Sequence, residues 1–539
     1  MRPFTPERAP VFAKNGMSCA STPIAAAVGR DILKVGGNAA DAALAMAAVV
    51  SVAEPLMNGL GGDCMILAHW NGAFYGINGS GRSGARLTLK NLEAAGFSLM
   101  PQAGAASVSV PGALDGYLAL HARFGSMDFA DIVEPAATYA EDGIAVGAKI
   151  AQVWEWGALK LKRFSADPSP YLPDGSPPRP GQIFRQKDLA DTWRAVGRNG
   201  RAAFYGGTMR ERILDALHAS GPCWLDSADF DATHAEWVEP IRGSYRGRTI
   251  LELPPNGQGL VALMALGMLE GFDMAQLFAD DEAEASHVIL EAVKLAFADA
   301  AHVADPRFAA TPVDRLLSSD YLKARRALIE PDRALEAPVA GSLFGDTTYL
   351  TVVDRDRNAV SLITSISGVF GSGVIVPGTG VVLHNRGAEF AMDPSHPNAA
   401  APGKRVRHSI LPAMMLAEDG SLALSFGCMG ANMQPQGQAQ ILINLVDRGM
   451  DLQRALDAPR VRALDARRVS VEPHWDPDFA TKLAARGHRI VNGEAAPDDW
   501  TAPHDFMRSF TGGAQAIALD GETLCGASDP RLDGIASPL

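Results

Sequence analysis

Residues 343–353, LFGDTTYLTVV, mark the sharpest change of character in the chain. Upstream, from Pro111 to about Glu330, apolar residues recur mainly at helical spacing, most clearly in HVILEAVKLAFADAAHV. Residues 331–345, PDRALEAPVAGSLFG, have no period and read as a flexible surface connection. After Thr347 come TYLTVVD, NAVSLITSI, GVVLHN and LALSFG, short alternating or apolar runs divided by Gly- and Asp-rich turns. They predict an antiparallel sheet. Helical patterns return in QGQAQILINLVDRGM and DLQRALDAPRV. A fold that mixes helices with antiparallel strands, patterned on both sides of an unpatterned seam, is what this arrangement demands.

The N-terminal part adds two elements. In GGNAADAALAMAAVVSVAEP, Asn38 caps an alanine-rich helix that Pro55 ends, and its small residues suit close packing against a sheet. In NGLGGDCMILAHWNGAFYGINGSG, two apolar runs flank Asn71-Gly72, a strand–turn–strand pattern. Gly59-Leu60-Gly61 begins a dinucleotide-loop pattern, but Cys64 stands at the third glycine and no strand-then-helix order follows.

Composition narrows the function. A net charge of −13 opposes nucleic-acid binding, which needs clustered Lys and Arg. The five cysteines (Cys19, Cys64, Cys223, Cys428, Cys525) are scattered and form no CxxC, which fits neither a disulfide framework nor a zinc site. The first residues contain no continuous apolar stretch of signal-peptide type, and Ala39–Ala53 is too short to span a bilayer. A cytoplasmic protein with no membrane partner is the expectation. HExxH, GxxxxGK[ST] and GxSxG are all absent, and the twelve histidines are dispersed.

One chemistry remains. A threonine hydroxyl becomes a nucleophile when its own free α-amine serves as base, because that amine has an unperturbed pKa of about 7.7–8.0. An internal threonine gains the amine only if the bond before it is cut. That requires an unpatterned segment before the threonine and a strand after it, which residues 331–360 supply. By itself, Asp346-Thr347-Thr348 is also simply a capped strand start.

The surrounding motifs decide between these readings. GDTTYLTVVDRDRNAVS, FGSG, PGTGVVLHNRG, PGKRVRHSILP and GCMGANMQPQG resemble the small subunit of the γ-glutamyltranspeptidase family, whose members cut themselves before a threonine. GGNAADAALA, EPLMNGLGG, SVPGALDGY, EPAATYAEDG, ELPPNGQG and HVILEAVKLAFADAAHVADP extend the likeness through the large-subunit portion, and GASDPRLDG carries it forward. The resemblance implies a four-layer αββα sandwich with residues 1–346 as large subunit and 347–539 as small subunit. The two fragments are expected to associate as a heterodimer, with no metal or organic cofactor. It makes Asp346–Thr347 the cleavage site, Thr347 the nucleophile, Ser365 its supporting hydroxyl, and Gly430-Ala431 the oxyanion-hole turn.

The substrate side departs from the glutathione-degrading members. Ser80 stands where the family arginine binds the substrate carboxylate, with Arg82 two residues on. Ser367 replaces an asparagine, Arg386 an uncharged amide, Glu389 an aspartate, and His408-Ser409 a Ser-Ser pair; the stretch from Ala391 to Gly403 is short for a lid. These differences resemble the acylase- and amidohydrolase-like branch. Two substrates therefore stand: a γ-glutamyl compound, or another acyl amide. An ion-pair role for Arg82 and Arg386, a buried polar role for His408 and a strand-hydroxyl role for Ser365 also stay open.

Overall fold

The computed structural model describes residues 7–336, 346–473, 476–491 and 511–539. Two seven-stranded sheets form its centre. One runs, edge to edge, Ile535–Pro538, Met17–Ala20, Asp346–Val353, Ala359–Ser367, Asp63–Trp70, Ala73–Gly79, Glu236–Val238. The other runs Val11–Ala13, Thr523–Ser528, Gly513–Asp520, Leu422–Met429, Ala413–Leu416, Arg248–Glu252, Ile241–Tyr245.

Side-chain alternation along the strands creates three apolar layers. Tyr349, Val353, Ala359 and Ile363 of the first sheet meet Leu251, Met414, Leu422 and Ile517 of the second between the sheets. Leu350, Val352, Val360 and Leu362 turn the other way, onto the helices Pro23–Lys34, Ala39–Ala53 and Ala113–Phe124. The second sheet is covered outside by the helices Gly259–Leu269, Glu282–Asp299 and Met433–Val446. The result is the expected αββα order. Every residue of Ala39–Ala53 is buried, and Asn38 and Asp41 close a reciprocal cap at its start. Among the described residues, no single helix is long and apolar enough to cross a membrane.

The regions on either side of the seam are interleaved. The strand Asp346–Val353 lies between Met17–Ala20 and Ala359–Ser367, and Ala359–Ser367 pairs in turn with Asp63–Trp70. One expectation is refined and another corrected. The span from Pro111 to Glu330 is not only helical, because Glu236–Val238, Ile241–Tyr245 and Arg248–Glu252 supply strands to both sheets. Their runs, such as IRGSY, are too short and polar to show a period. The connection 331–345 is not uniformly a free loop either: Ala334 is buried and its amide donates to Arg486 O at 2.7 Å. Residues 337–345 lie outside the described residues.

Candidate active site

Thr347 is fully buried, one residue into its strand, on the face directed between the sheets. The ladder slips beside it. Asp346 pairs with Ser367 and Thr348 with Thr364, so Thr347 alone stands opposite Ser365 and Ile366. This is the two-against-one arrangement of a β-bulge, which re-aims side chains at a strand end. Gly62 lets the neighbouring chain pass: a Cβ there would overlap the Ser365 carbonyl, which explains a glycine of the GLGG motif.

The second sheet brings the helix Met433–Val446 to the same point. Gln434 Nε2 donates to Thr347 Oγ1 at 3.3 Å, while Gln434 Oε1 accepts from the Leu411 amide at 2.8 Å. One amide side chain thus ties the threonine to the helix start and is held by a backbone bond. Before the helix, Gly430 (φ 119°) and Ala431 (φ 56°) form a left-handed turn. Their carbonyls accept from Met433 N and Gln434 N, and neither Gly430 N nor Ala431 N has an acceptor among the described residues. Two unengaged amides at the positive end of a helix suit stabilisation of a developing oxyanion. A non-glycine residue at positive φ, such as Ala431 or Ser367 (φ 76°), is strained backbone of a kind that collects at functional sites.

Beside Ser365 lies a buried charged network. Ser365 Oγ accepts from Ser367 N at 2.8 Å and from Arg386 Nη2 at 3.1 Å. Arg386 Nη1 donates to Ser409 Oγ at 3.2 Å, and its Nε faces Asp63 Oδ2 at 3.8 Å. His408 Nε2 donates to the same Asp63 oxygen at 3.0 Å. Asp63 Oδ1 accepts from Gly81 N at 2.9 Å and Gly112 N at 3.2 Å. Burial pushes the Asp63 carboxyl up, but His384, His408 and Arg386 more than reverse this and hold it well below the usual carboxylate range. Burial, with Arg386 beside it, lowers His408 to about 4. At neutral pH the network therefore holds a carboxylate, a guanidinium and a neutral imidazole.

Behind the strand, Thr348 points into the helical layer. Its hydroxyl donates to Glu54 Oε2 at 2.7 Å and accepts from Asn58 Nδ2 at 2.9 Å, and Ser21 Oγ donates to Glu54 Oε2 at 2.8 Å. Burial raises the Glu54 carboxyl to about 7.

Thr347, Ser365, Ser367, Arg386, His408 and Ser409 thus converge with the Gly430-Ala431 turn. Two sequence-predicted residues have other partners. Arg82 is spent on an ion-pair cluster, with Nη1 2.9 Å from Asp305 Oδ2 and 3.2 Å from Gly403 O, and Nη2 2.7 Å from Glu236 Oε1. These contacts match the ion-pair role that the sequence left open for Arg82. The Glu389 side chain is nearly buried, with a carboxylate oxygen 3.6 Å from Arg407 Nη2. Ser80 donates to Asn78 Oδ1 at 2.6 Å. The Asp346 side chain lies outside the described residues. Asp63, Gln434 and Glu54 join this region without having been expected from the sequence. For Asp63 a signal existed, namely a charge opening the apolar run DCMILA directly after GLGG.

A family model described as gamma-glutamyltranspeptidase matches residues 25–539. The chain is 36% identical over 530 residues to the glutathione hydrolase-like YwrD proenzyme of Bacillus subtilis, covering 95% of this chain and 96% of that protein. It is 36% identical to the acylase ACY 1 proenzyme of Pseudomonas sp. strain SE83 over 546 residues, 98% of this chain and 95% of that one. The crystal structure of cephalosporin acylase from Bacillus halodurans superposes with a TM-score of 0.89 at 38% identity, covering 100% of this chain and 98% of that chain.

Proposed function

Because this chain belongs to the gamma-glutamyltranspeptidase family, we propose that it cuts itself before Thr347 and uses the freed threonine on an acyl amide other than a γ-glutamyl compound. The protein is an N-terminal-nucleophile enzyme of the acyltransferase and amide-hydrolase kind, made as a proenzyme. Its processed fragments pair as a heterodimer.

In the processing step, Thr347 Oγ1 attacks the Asp346 carbonyl carbon. The C–N bond breaks, the Thr347 nitrogen gains the proton, and an ester joins the two residues. Water opens that ester, leaving fragments 1–346 and 347–539 and a free α-amine on Thr347. In turnover this amine takes the hydroxyl proton while Oγ1 attacks the substrate carbonyl. The oxyanion meets Gly430 N–H and Ala431 N–H, the amine product leaves with the proton, and water or an acceptor amine releases the acyl group.

One observation carries the substrate reading. Arg386 reaches Ser365, across from the nucleophile, whereas Arg82 is consumed by Asp305 and Glu236. Among the described residues, Arg386 is the guanidinium that reaches Ser365, and each of its Nη atoms keeps a second N–H beyond the bonds to Ser365 and Ser409, while Glu389, the counterpart of the residue that would hold a substrate ammonium, already faces Arg407. A short acyl chain ending in a carboxylate or carbonyl fits a fork-shaped donor of this kind. The test is a panel of γ-glutamyl-p-nitroanilide, glutaryl-p-nitroanilide and oxamate with matured enzyme. Higher kcat/KM on glutaryl or oxamate substrates supports the reading. Turnover of the γ-glutamyl compound alone overturns it and restores a γ-glutamyl transferase or glutathione hydrolase.

A further inference from the structure

The helix Glu282–Asp299 carries His287, Glu291 and Lys294 in its interior, all buried, and buried His488 reaches them from beside the strand Arg489–Ile490. None of the four belongs to the site around Thr347. Buried polar groups need partners, and here most of the partners are the backbone of residues 330–335. His287 Nε2 lies 2.7 Å from Glu330 O. Glu291 Oε2 accepts from Leu335 N at 2.9 Å. Lys294 Nζ donates to Leu335 O at 3.3 Å and Ala466 O at 2.8 Å, and lies 2.5 Å from Glu291 Oε1.

The protons can be assigned. A carbonyl only accepts, so His287 Nε2 carries its hydrogen, and His287 Nδ1 accepts from His488 Nε2 at 2.8 Å. Burial lowers both imidazoles, His488 to about 3, and keeps them neutral as this relay requires. An outer layer repeats the grip. Ala334 N donates to Arg486 O, Arg486 Nε donates to Pro331 O at 3.2 Å, and Glu336 pairs with Arg467.

The ligand atoms of His287, Glu291 and His488 lie within 4.8 Å of one another, a spacing an ion would also accept. The directed bonds favour another role. The Lys294 ammonium already sits on Glu291 Oε1, and the bond between the histidines uses the lone pair of His287 Nδ1.

We propose that His287, Glu291, Lys294 and His488 anchor residues 330–335 so that the following chain presents the Asp346–Thr347 bond for self-cleavage. They are positioning residues, and the inference rests on the processing step proposed above. Only ten residues, 337–346, separate the end of the held segment from Thr347. Releasing 331–336 lengthens the stretch between the last held residue and Thr347 from ten to sixteen residues. Loop closure alone then slows cleavage about twofold, and lost orientation brings the expected effect to about tenfold.

The experiment compares the full chain with Glu291→Gln/Lys294→Met, which removes both buried charges together, with His287→Leu, and with His287→Gln, which keeps a donor. Processing half-time is read from denaturing gels of freshly made chain, and turnover is measured per matured site. Expected are half-times about tenfold longer for the first two variants, near wild type for His287→Gln, and turnover per matured site within about twofold of wild type. Should a variant not mature at all, the same changes are placed in a Thr347→Ala background, and hydrogen exchange of a peptide covering 330–336 is followed. Faster exchange supports the anchor. Unchanged half-times beside normal wild-type maturation, unchanged exchange, or a stoichiometric transition metal in the purified protein would each overturn it. A wild-type chain that never cleaves sinks the processing step itself, a separate outcome.

Discussion

Glu54→Gln isolates a single buried carboxyl whose cost can be worked out. Among the described residues the buried Glu54 carboxyl accepts from the hydroxyls of Ser21 and Thr348, and burial raises its pKa from the ordinary 4.5 to about 7. A raised acid binds its proton more tightly in the folded than in the unfolded chain. Its contribution is therefore fully favourable below about pH 4.5 and is lost as pH rises through 7. Each tenfold difference in proton affinity between the folded and unfolded chain is worth about 1.36 kcal/mol. The resulting penalty is about 1 kcal/mol at pH 5, about 2 kcal/mol at pH 6 and about 3 kcal/mol at pH 8. Glutamine keeps the shape and cannot ionise, and both hydroxyls can turn to meet its amide. In a Thr347→Ala background, which keeps one chain, the stability of Glu54→Gln minus that of its parent should rise by about 2 kcal/mol between pH 5 and pH 8. Urea unfolding midpoints at four pH values give this slope, and any constant offset from the substitution cancels. A flat or falling difference refutes the reasoning, because it means that burial does not control Glu54.

Arg386→Met leaves the buried Asp63 carboxylate without its guanidinium and should destabilise by about 3–5 kcal/mol, with much of the loss recovered in Arg386→Met/Asp63→Asn; unfolding midpoints of the three proteins check this. Arg386→Lys, which cannot reproduce the fork between Ser365 and Ser409, should lower kcat/KM about 10- to 100-fold with fragments still formed, read by steady-state kinetics. Gln434→Leu orphans the buried Leu411 amide and frees the Thr347 hydroxyl, so a stability loss of about 1–3 kcal/mol and a lower kcat should appear together in unfolding and rate measurements. Since His408 is held down to about 4, kcat/KM should show no limb near 6.5; it should fall at low pH along a single limb set by protonation of the Thr347 amine.

Much of this is legible in the sequence alone. Asn38 and Pro55 bound the buried helix, Asn71-Gly72 marks a hairpin, and alternation from Tyr349 onward announces a strand. These features are local, so local pattern suffices. The pocket is less legible because its charges are compensated across long stretches of chain. Whether Arg82 or Arg386 serves the substrate depends on Asp305 and Glu236, more than 150 residues downstream of Arg82. Asp63 gains its meaning from His408, 345 residues away. The strands around Tyr245 escape notice because polar alternation such as IRGSY resembles loop until a partner strand supplies its hydrogen bonds.

Cleavage of the Asp346–Thr347 bond and catalysis by the threonine it frees stand or fall together. Intact-mass analysis with N-terminal sequencing, run side by side on the wild-type chain and Thr347→Ala, tests this most directly. Expected are two wild-type fragments of 346 and 193 residues, the smaller beginning Thr-Thr-Tyr-Leu, and a single inactive 56.9 kDa chain for the variant. A wild-type chain that stays whole yet turns over amides, or a Thr347→Ala chain that still cleaves at this bond, would contradict this.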